Sequence, residues 1–193
     1  MIADLCLVLL LDASGSIDAG EWDLQAKATA EALSTTAIVE KITRGQHGHI
    51  AVMAMEFADK SAVMLPWTDI AGMEDARRVA VILATYKRRM SGSTAVGDAL
   101  QAAAAALEAG PACVRHVVDL STDGIRNDGT DPLTAVKMLE GRDVMVNALV
   151  IEDEPGILDY YKRTVSGFVM SASWESYAQA IKTKLQLEVA ELK

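Results

Sequence analysis

The chain predicts an α/β fold: a doubly wound sheet, parallel with one antiparallel edge strand, with helices on both faces. Three observations predict it. The unbroken apolar run Leu5 to Leu11 suits a strand buried on both faces of a parallel sheet. Strand-like and helix-like segments then alternate almost to the end of the chain. Two of the strands also end in matching turns, Asp12-Ala-Ser-Gly-Ser and Ser121-Thr-Asp-Gly.

Taken in order, the first strand is followed by a helix starting after Asp18, where Glu21 completes a capping box. Trp22, Ala26, Ala30, Leu33 and Ala37 recur at helical spacing and form its inward face. Gly45 and Gly48 break the chain. His49 to Ala58 reads as a second strand and Ser61 to Trp67 as a third. Only Asp59 and Lys60 lie between them, which predicts a tight hairpin and one antiparallel edge. Pro66 suits that edge because it has no N–H to give a ladder. A helix over Met73 to Tyr86 turns Ala76, Val79, Ala80 and Leu83 inward. The next helix, after Ser93-Thr94, carries Val96, Leu100, Ala103, Ala104 and Leu107 in step and stops at Gly110-Pro111. Val114 to Leu120 is a strand. Pro132 opens a helix that Gly141 ends. Val144 to Ile151 is a strand, Glu152 to Gly156 an acidic turn, and Leu158 to Arg163 a short helix. A strand near Phe168 to Ser171 and a helix with Trp174, Tyr177, Ala178, Ile181 and Leu185 inward complete the chain. No internal repeat or linker interrupts 1–193, so one domain is expected.

Bulk properties narrow the function. The 193 residues suffice for one sizeable core. Half are apolar, yet no apolar run approaches the ~20 residues of a membrane span. A net charge of −9 argues against general nucleic-acid binding, which needs a basic face, and favours cations and basic partners. Cys6 and Cys113 lack metal-ligand spacing. Buried free thiols are the simplest reading, and a bridge is open to them if their strands are neighbours. Nothing basic precedes the first apolar run and no cleavage-like segment follows it. A cytoplasmic protein, or a periplasmic or secreted one whose leader has been removed, fits that pattern.

Ligands of an open α/β sheet bind outside the carboxyl ends of its strands, where strand order reverses. Three segments meet there on this reading: Asp12, Ser14 and Ser16 around the tight turn at Gly15; Ser93 and Thr94 after Gly92; and Asp123 with Gly124. Two carboxylates and three hydroxyls are hard oxygen ligands. They suit Mg2+ foremost, with Ca2+ or Mn2+ as alternatives, rather than zinc or copper.

These residues resemble the metal-ion-dependent adhesion site (MIDAS) of the von Willebrand factor type A domain, whose pattern is Asp-x-Ser-x-Ser, a distant Thr and a distant Asp. Asp12, Ser14, Ser16, Thr94 and Asp123 occupy those positions, and the strand-helix order agrees from Leu5 to the last helix, a Rossmann-like arrangement. The phrases Pro66-Trp67-Thr68, Ser93 to Leu100 and Val118 to Gly124 look closest to an uncharacterised bacterial branch. The resemblance implies a divalent cation that keeps an open position for an Asp or Glu of a protein partner. It also implies a binding module rather than an enzyme.

Around the site, Asp98, Gly15, Gly124 and Ser93 are candidates for its rim or surroundings. Asp98 is placed to meet a helix dipole. Lys87, Arg88 and Arg89 lie where they can steer an acidic partner, although basic residues also belong at a helix carboxyl end. Arg126, Asn127 and Asp128 read as a solvated loop, as do Glu152 to Glu154. His47, His49 and His116 read as structural, and Met53, Met55, Met64 and Trp67 as core or edge. There is no nucleophile elbow, phosphate-binding Gly-rich loop or dinucleotide fingerprint. A metal-dependent hydrolase is the weaker alternative, and an accessory subunit of an ATP-driven intracellular complex the stronger.

Overall fold

A computed structural model describes residues 2–152 and 154–191. Six strands form one sheet: β1 (Ala3–Asp12), β2 (Ile50–Phe57), β3 (Ser61–Ile70), β4 (Cys113–Thr122), β5 (Val144–Ile151) and β6 (Val169–Ala172). Around it lie α1 (Ala19–Leu33), α2 (Thr36–Thr43), α3 (Met73–Thr85), α4 (Val96–Glu108), α5 (Pro132–Glu140), α6 (Ile157–Thr164) and α7 (Tyr177–Glu188). The sheet order is β3-β2-β1-β4-β5-β6, parallel except for β3, which pairs antiparallel with β2. The expected α/β architecture is therefore present.

Alternation along β1 builds two cores. Leu5, Leu7, Leu9 and Leu11 face α1, α2, α3 and α7, while Cys6, Val8 and Leu10 face α4, α5 and α6. All ten residues of β1 are buried, as a strand covered on both faces must be. The first connections run outward through β2 and β3, and the chain then crosses to β4 on the other side of β1. Strand order thus reverses between β1 and β4, and both end at the same rim.

Several details depart from the sequence reading. The first helix stops at Ser34, and a separate α2 follows from Thr36. Ala37 belongs to α2 and is exposed rather than on the inward face, because the Ser34-Thr35 break rotates the chain out of register. Ala178 is also exposed; the inward positions of α7 are Tyr177, Ile181, Lys184, Leu185 and Glu188, two of them charged. β3 runs on to Ile70, with its register irregular where Pro66 sits. Cys6 and Cys113 are not free thiols but a disulfide, since β1 and β4 are neighbours and their Cα atoms stand 5.6 Å apart. Among the described residues, no helix is long and apolar enough to cross a membrane.

Candidate metal centre

The capping box at Asp18 and Glu21 forms as expected, both hydrogen bonds at 2.7–2.8 Å, and starts α1 directly after the first loop. That fixes residues 13–17 as a short bridge over the end of β1. Asp12 is fully buried there. Its Oδ1 accepts the Ser14 N–H at 2.8 Å, its Oδ2 accepts the Thr122 hydroxyl at 2.5 Å, and its carbonyl accepts Gln25 Nε2 at 2.9 Å. Ser14 Oγ lies 3.2 Å from Ser16 Oγ, and Ser16 Oγ donates to Asp123 Oδ1 at 2.8 Å. The two strand ends are thus joined through four of the five sequence-predicted ligands.

Thr94 arrives on the second loop. Its N–H donates to Asn127 Oδ1 at 2.7 Å and its carbonyl accepts the Asn127 N–H at 3.2 Å. A Cβ placed on Gly124 would stand 3.5 Å from Thr94 Oγ1, so the threonine hydroxyl sits beside the backbone that follows Asp123. Gly15 is needed where the first and second loops touch: its N–H donates to the Gly92 carbonyl at 2.8 Å, and a Cβ there would press to 3.3 Å. All five residues are brought to one rim.

The surrounding candidates divide. Ser93 donates to Asp128 Oδ2 at 2.7 Å, and Asp98 Oδ1 accepts the Thr130 N–H at 2.9 Å. Both tie the second loop to the third from outside the oxygen cluster. Asn127 and Glu154 are more than solvated loop residues, because Asn127 clamps Thr94 and Glu154 Oε2 accepts the Ile125 N–H at 2.9 Å. Asp153 of the same turn lies outside the described residues. Arg88 reaches the first loop, with Nη1 2.5 Å from the Ile17 carbonyl. His49 meets its own loop through Nδ1, 3.2 Å from the His47 carbonyl. His116 stands on β4, where burial lowers its pKa.

Sequence reasoning missed three supports. Thr122 was visible only as part of a strand end, yet it is the hydroxyl partner of Asp12. Glu56, fully buried at the end of β2, accepts from Tyr86 Oη at 2.7 Å, Arg89 N at 3.0 Å and Met90 N at 3.3 Å, and so holds the segment carrying Arg88. Tyr161 Oη donates to the Gly124 carbonyl at 2.9 Å. A lone Glu in an apolar strand was the one available signal.

Burial pushes the Asp12 carboxyl up to about 6; hydrogen bonds from Thr122 and Ser14 oppose this, and the Asp123 charge adds to it. A buried carboxylate held so far above its ordinary value is one whose charge lacks compensation. The donor set answers that need. The cluster offers the hydroxyls of Ser14, Ser16 and Thr94 and the carboxylates of Asp12 and Asp123. Such a set fits a small, hard, oxygen-seeking divalent cation.

Comparison with solved structures gives the same fold. A matrix protein of the mussel byssus, PTMP1, superposes with a TM-score of 0.74 at 20% identity, over 97% of this chain and 47% of that one. A second PTMP1 structure, described as having a zinc-occupied MIDAS motif, gives 0.73 at 18% identity, over 97% and 46%. The von Willebrand factor domain of the pilus tip protein Mfa5 from Porphyromonas gingivalis gives 0.71 at 9% identity, over 100% and 97%. The chain spans about half the length of the mussel protein and has the von Willebrand factor A fold. No curated protein matches it. The family model that does match, over residues 2–193, is described as protein of unknown function DUF1194, and the chain belongs to that family.

Proposed function

We propose that this single domain is a divalent-cation-dependent protein-binding module. Asp12, Ser14, Ser16, Thr94 and Asp123 hold the ion, Mg2+ by donor chemistry, and an Asp or Glu of the partner completes its shell. The observation that carries this reading is the cluster linking Asp12, Ser14, Ser16 and Asp123 across the two strand ends at the point of strand reversal. The cation supplies uncompensated positive charge, because few of its ligands are carboxylates. The chain's own residues position it: Thr122 and Ser14 orient Asp12, Asn127 fixes Thr94, and Gly15 lets the loops close together.

Lys87, Arg88 and Arg89 line a cleft of about 530 Å³ beside the first loop, facing Asp18 and Asp23 across it. The three basic side chains on that wall can steer an acidic partner toward the cation. Related folds belong to a byssal matrix protein and a pilus tip protein, which supports binding rather than catalysis as the role. The Cys6–Cys113 disulfide favours an oxidising compartment, periplasmic or extracellular, over the cytoplasm.

The test is calorimetric titration of metal-stripped protein with Mg2+, Ca2+ and Mn2+, beside an Asp12→Ala variant. One saturable ion, absent in the variant, is expected, followed by partner capture that chelator abolishes. A folded wild-type sample that binds none of the three ions refutes the mechanism.

A further inference from the structure

On the opposite side of β4 from the Cys6 core, under α7, three ionisable side chains share one dry site. Asp119 of β4, Lys184 and Glu188 are 2%, 0% and 2% exposed. Helical spacing puts Lys184 and Glu188 on one face of α7, with Lys184 Nζ 2.8 Å from Glu188 Oε1. The same Nζ forms an ion pair with Asp119 Oδ1. Asn147, the register partner of Asp119 on β5, donates Nδ2 to Glu188 Oε1 at 3.0 Å and fixes that carboxyl. The Phe168 ring, 5.5 Å from Nζ, covers the cluster. Asp119 Oδ2 and Glu188 Oε2 have no hydrogen-bond partner among the described residues.

Two carboxyls on one amine is an odd composition for a structural ion pair, and the neighbouring Arg115 gives its Nη2 to the Glu188 backbone carbonyl. Burial, together with the Glu188 charge, pushes the Asp119 carboxyl well above the usual range, toward the neutral acid. A neutral carboxylic acid touching a lysine nitrogen, with a second carboxyl beside that nitrogen and water excluded, is the arrangement that amide condensation requires.

We propose that Lys184 and Asp119 join in an intramolecular isopeptide bond, with Glu188 carrying the protons. The ammonium proton of Lys184 passes to Glu188, leaving amine, Asp119 acid and Glu188 acid all neutral. The Nζ lone pair attacks Asp119 Cγ, the N–C bond forms, and the carbonyl π pair moves onto oxygen. Glu188 then gives its proton to the departing hydroxyl and takes one from the nitrogen. The oxyanion pair re-forms the carbonyl as the Cγ–O bond breaks, one water leaves, and Glu188 is left protonated, holding in net the proton that Lys184 gave up at the start. Nothing is oxidised or reduced, and no co-reactant is needed. Burial alone would lower the Lys184 ammonium, but Asp119 and Glu188 more than offset it and hold it above its ordinary range. The neutral amine is therefore a minor tautomer, and bond formation is slower than folding. Loss of water from a dry site opposes the reverse reaction. The product welds the last helix to the central sheet.

The test is mass spectrometry of the purified wild-type chain, reduced and denatured, then digested. The intact mass should fall short of the sequence by one water, and one cross-linked peptide should contain both Asp119 and Lys184. Lys184→Met and Glu188→Gln should each restore the full mass. Asp119→Asn should still form the bond, now losing ammonia. A wild-type chain of full mass overturns the proposal. So does a water loss mapping to Asp123-Gly124 or Asp128-Gly129, where ring closure at an Asp-Gly step sheds the same mass.

Discussion

Replacing Asp12 with Asn separates what the carboxylate costs from what it binds. The side chain is fully buried, and its carboxyl is raised from 3.8 to about 6, chiefly by burial. At 1.36 kcal/mol per unit, the charged form costs the metal-free fold about 3 kcal/mol at pH 8. Because the folded state holds this proton more tightly than the unfolded chain, the metal-free protein loses stability as pH rises from about 4 to about 6. Asn keeps the shape, accepts from the Ser14 N–H, and can donate to Thr122. Asp12→Asn should therefore raise the melting temperature of chelator-treated protein at pH 8 by ~5–10 °C for a chain this size. It should also flatten the pH dependence over that window. Added Mg2+ should stabilise the wild type by RT ln(1 + [L]/Kd) and leave the variant unmoved. Differential scanning calorimetry with and without chelator measures both effects. A variant less stable than metal-free wild type at pH 8, or one that Mg2+ still stabilises, refutes the reasoning.

Proton competition at Asp12 also makes metal affinity fall as pH drops through about 6, which titration calorimetry at pH 5 and pH 8 would register. Glu56→Ala removes a buried carboxylate that holds Tyr86, Arg89 and Met90; denaturant melts should show a loss of about 2–4 kcal/mol, and limited proteolysis should cut at 86–90 first. Gly129 has φ +69°, and a Cβ there would meet Asp98 Oδ2 at 2.5 Å. Gly129→Ala should cost about 1–3 kcal/mol in a melt and weaken metal binding by loosening the third loop against Asp98. Reducing Cys6–Cys113, which are 107 residues apart in sequence, should lower stability by about 2–4 kcal/mol, read as a drop in denaturant midpoint.

Much of this molecule is written in short-range pattern. The unbroken run Leu5 to Leu11 identifies a central strand, the capping box at Asp18 fixes where α1 begins, and Pro66 with the Asp59-Lys60 turn marks the antiparallel edge. Spacing of two between Asp12, Ser14 and Ser16 announces an oxygen cluster, since nothing but local geometry is needed to point such residues at one place. The break at Ser34-Thr35 escaped because Ala37 follows Leu33 by four residues and so continues the apolar spacing of α1, although the turn leaves it on the exposed side of α2.

What the tertiary structure alone decided is which distant segments meet. Strand order is a global property, so the adjacency of β1 and β4 that joins Cys6 to Cys113, and Asp12 to Thr122, has no local signature. The same holds for Glu56, which reads as a stray acid in β2 until the segment from Tyr86 to Met90 folds across it. Lys184 and Glu188 fall at the helical spacing of Tyr177 and Ile181, but no local pattern shows that charged residues on that face stay buried, and Asp119 merely interrupts the apolar run of β4. Packing the helix onto the sheet buries all three together, because α7 must present a continuous face to β4 and β5 and those positions lie on it.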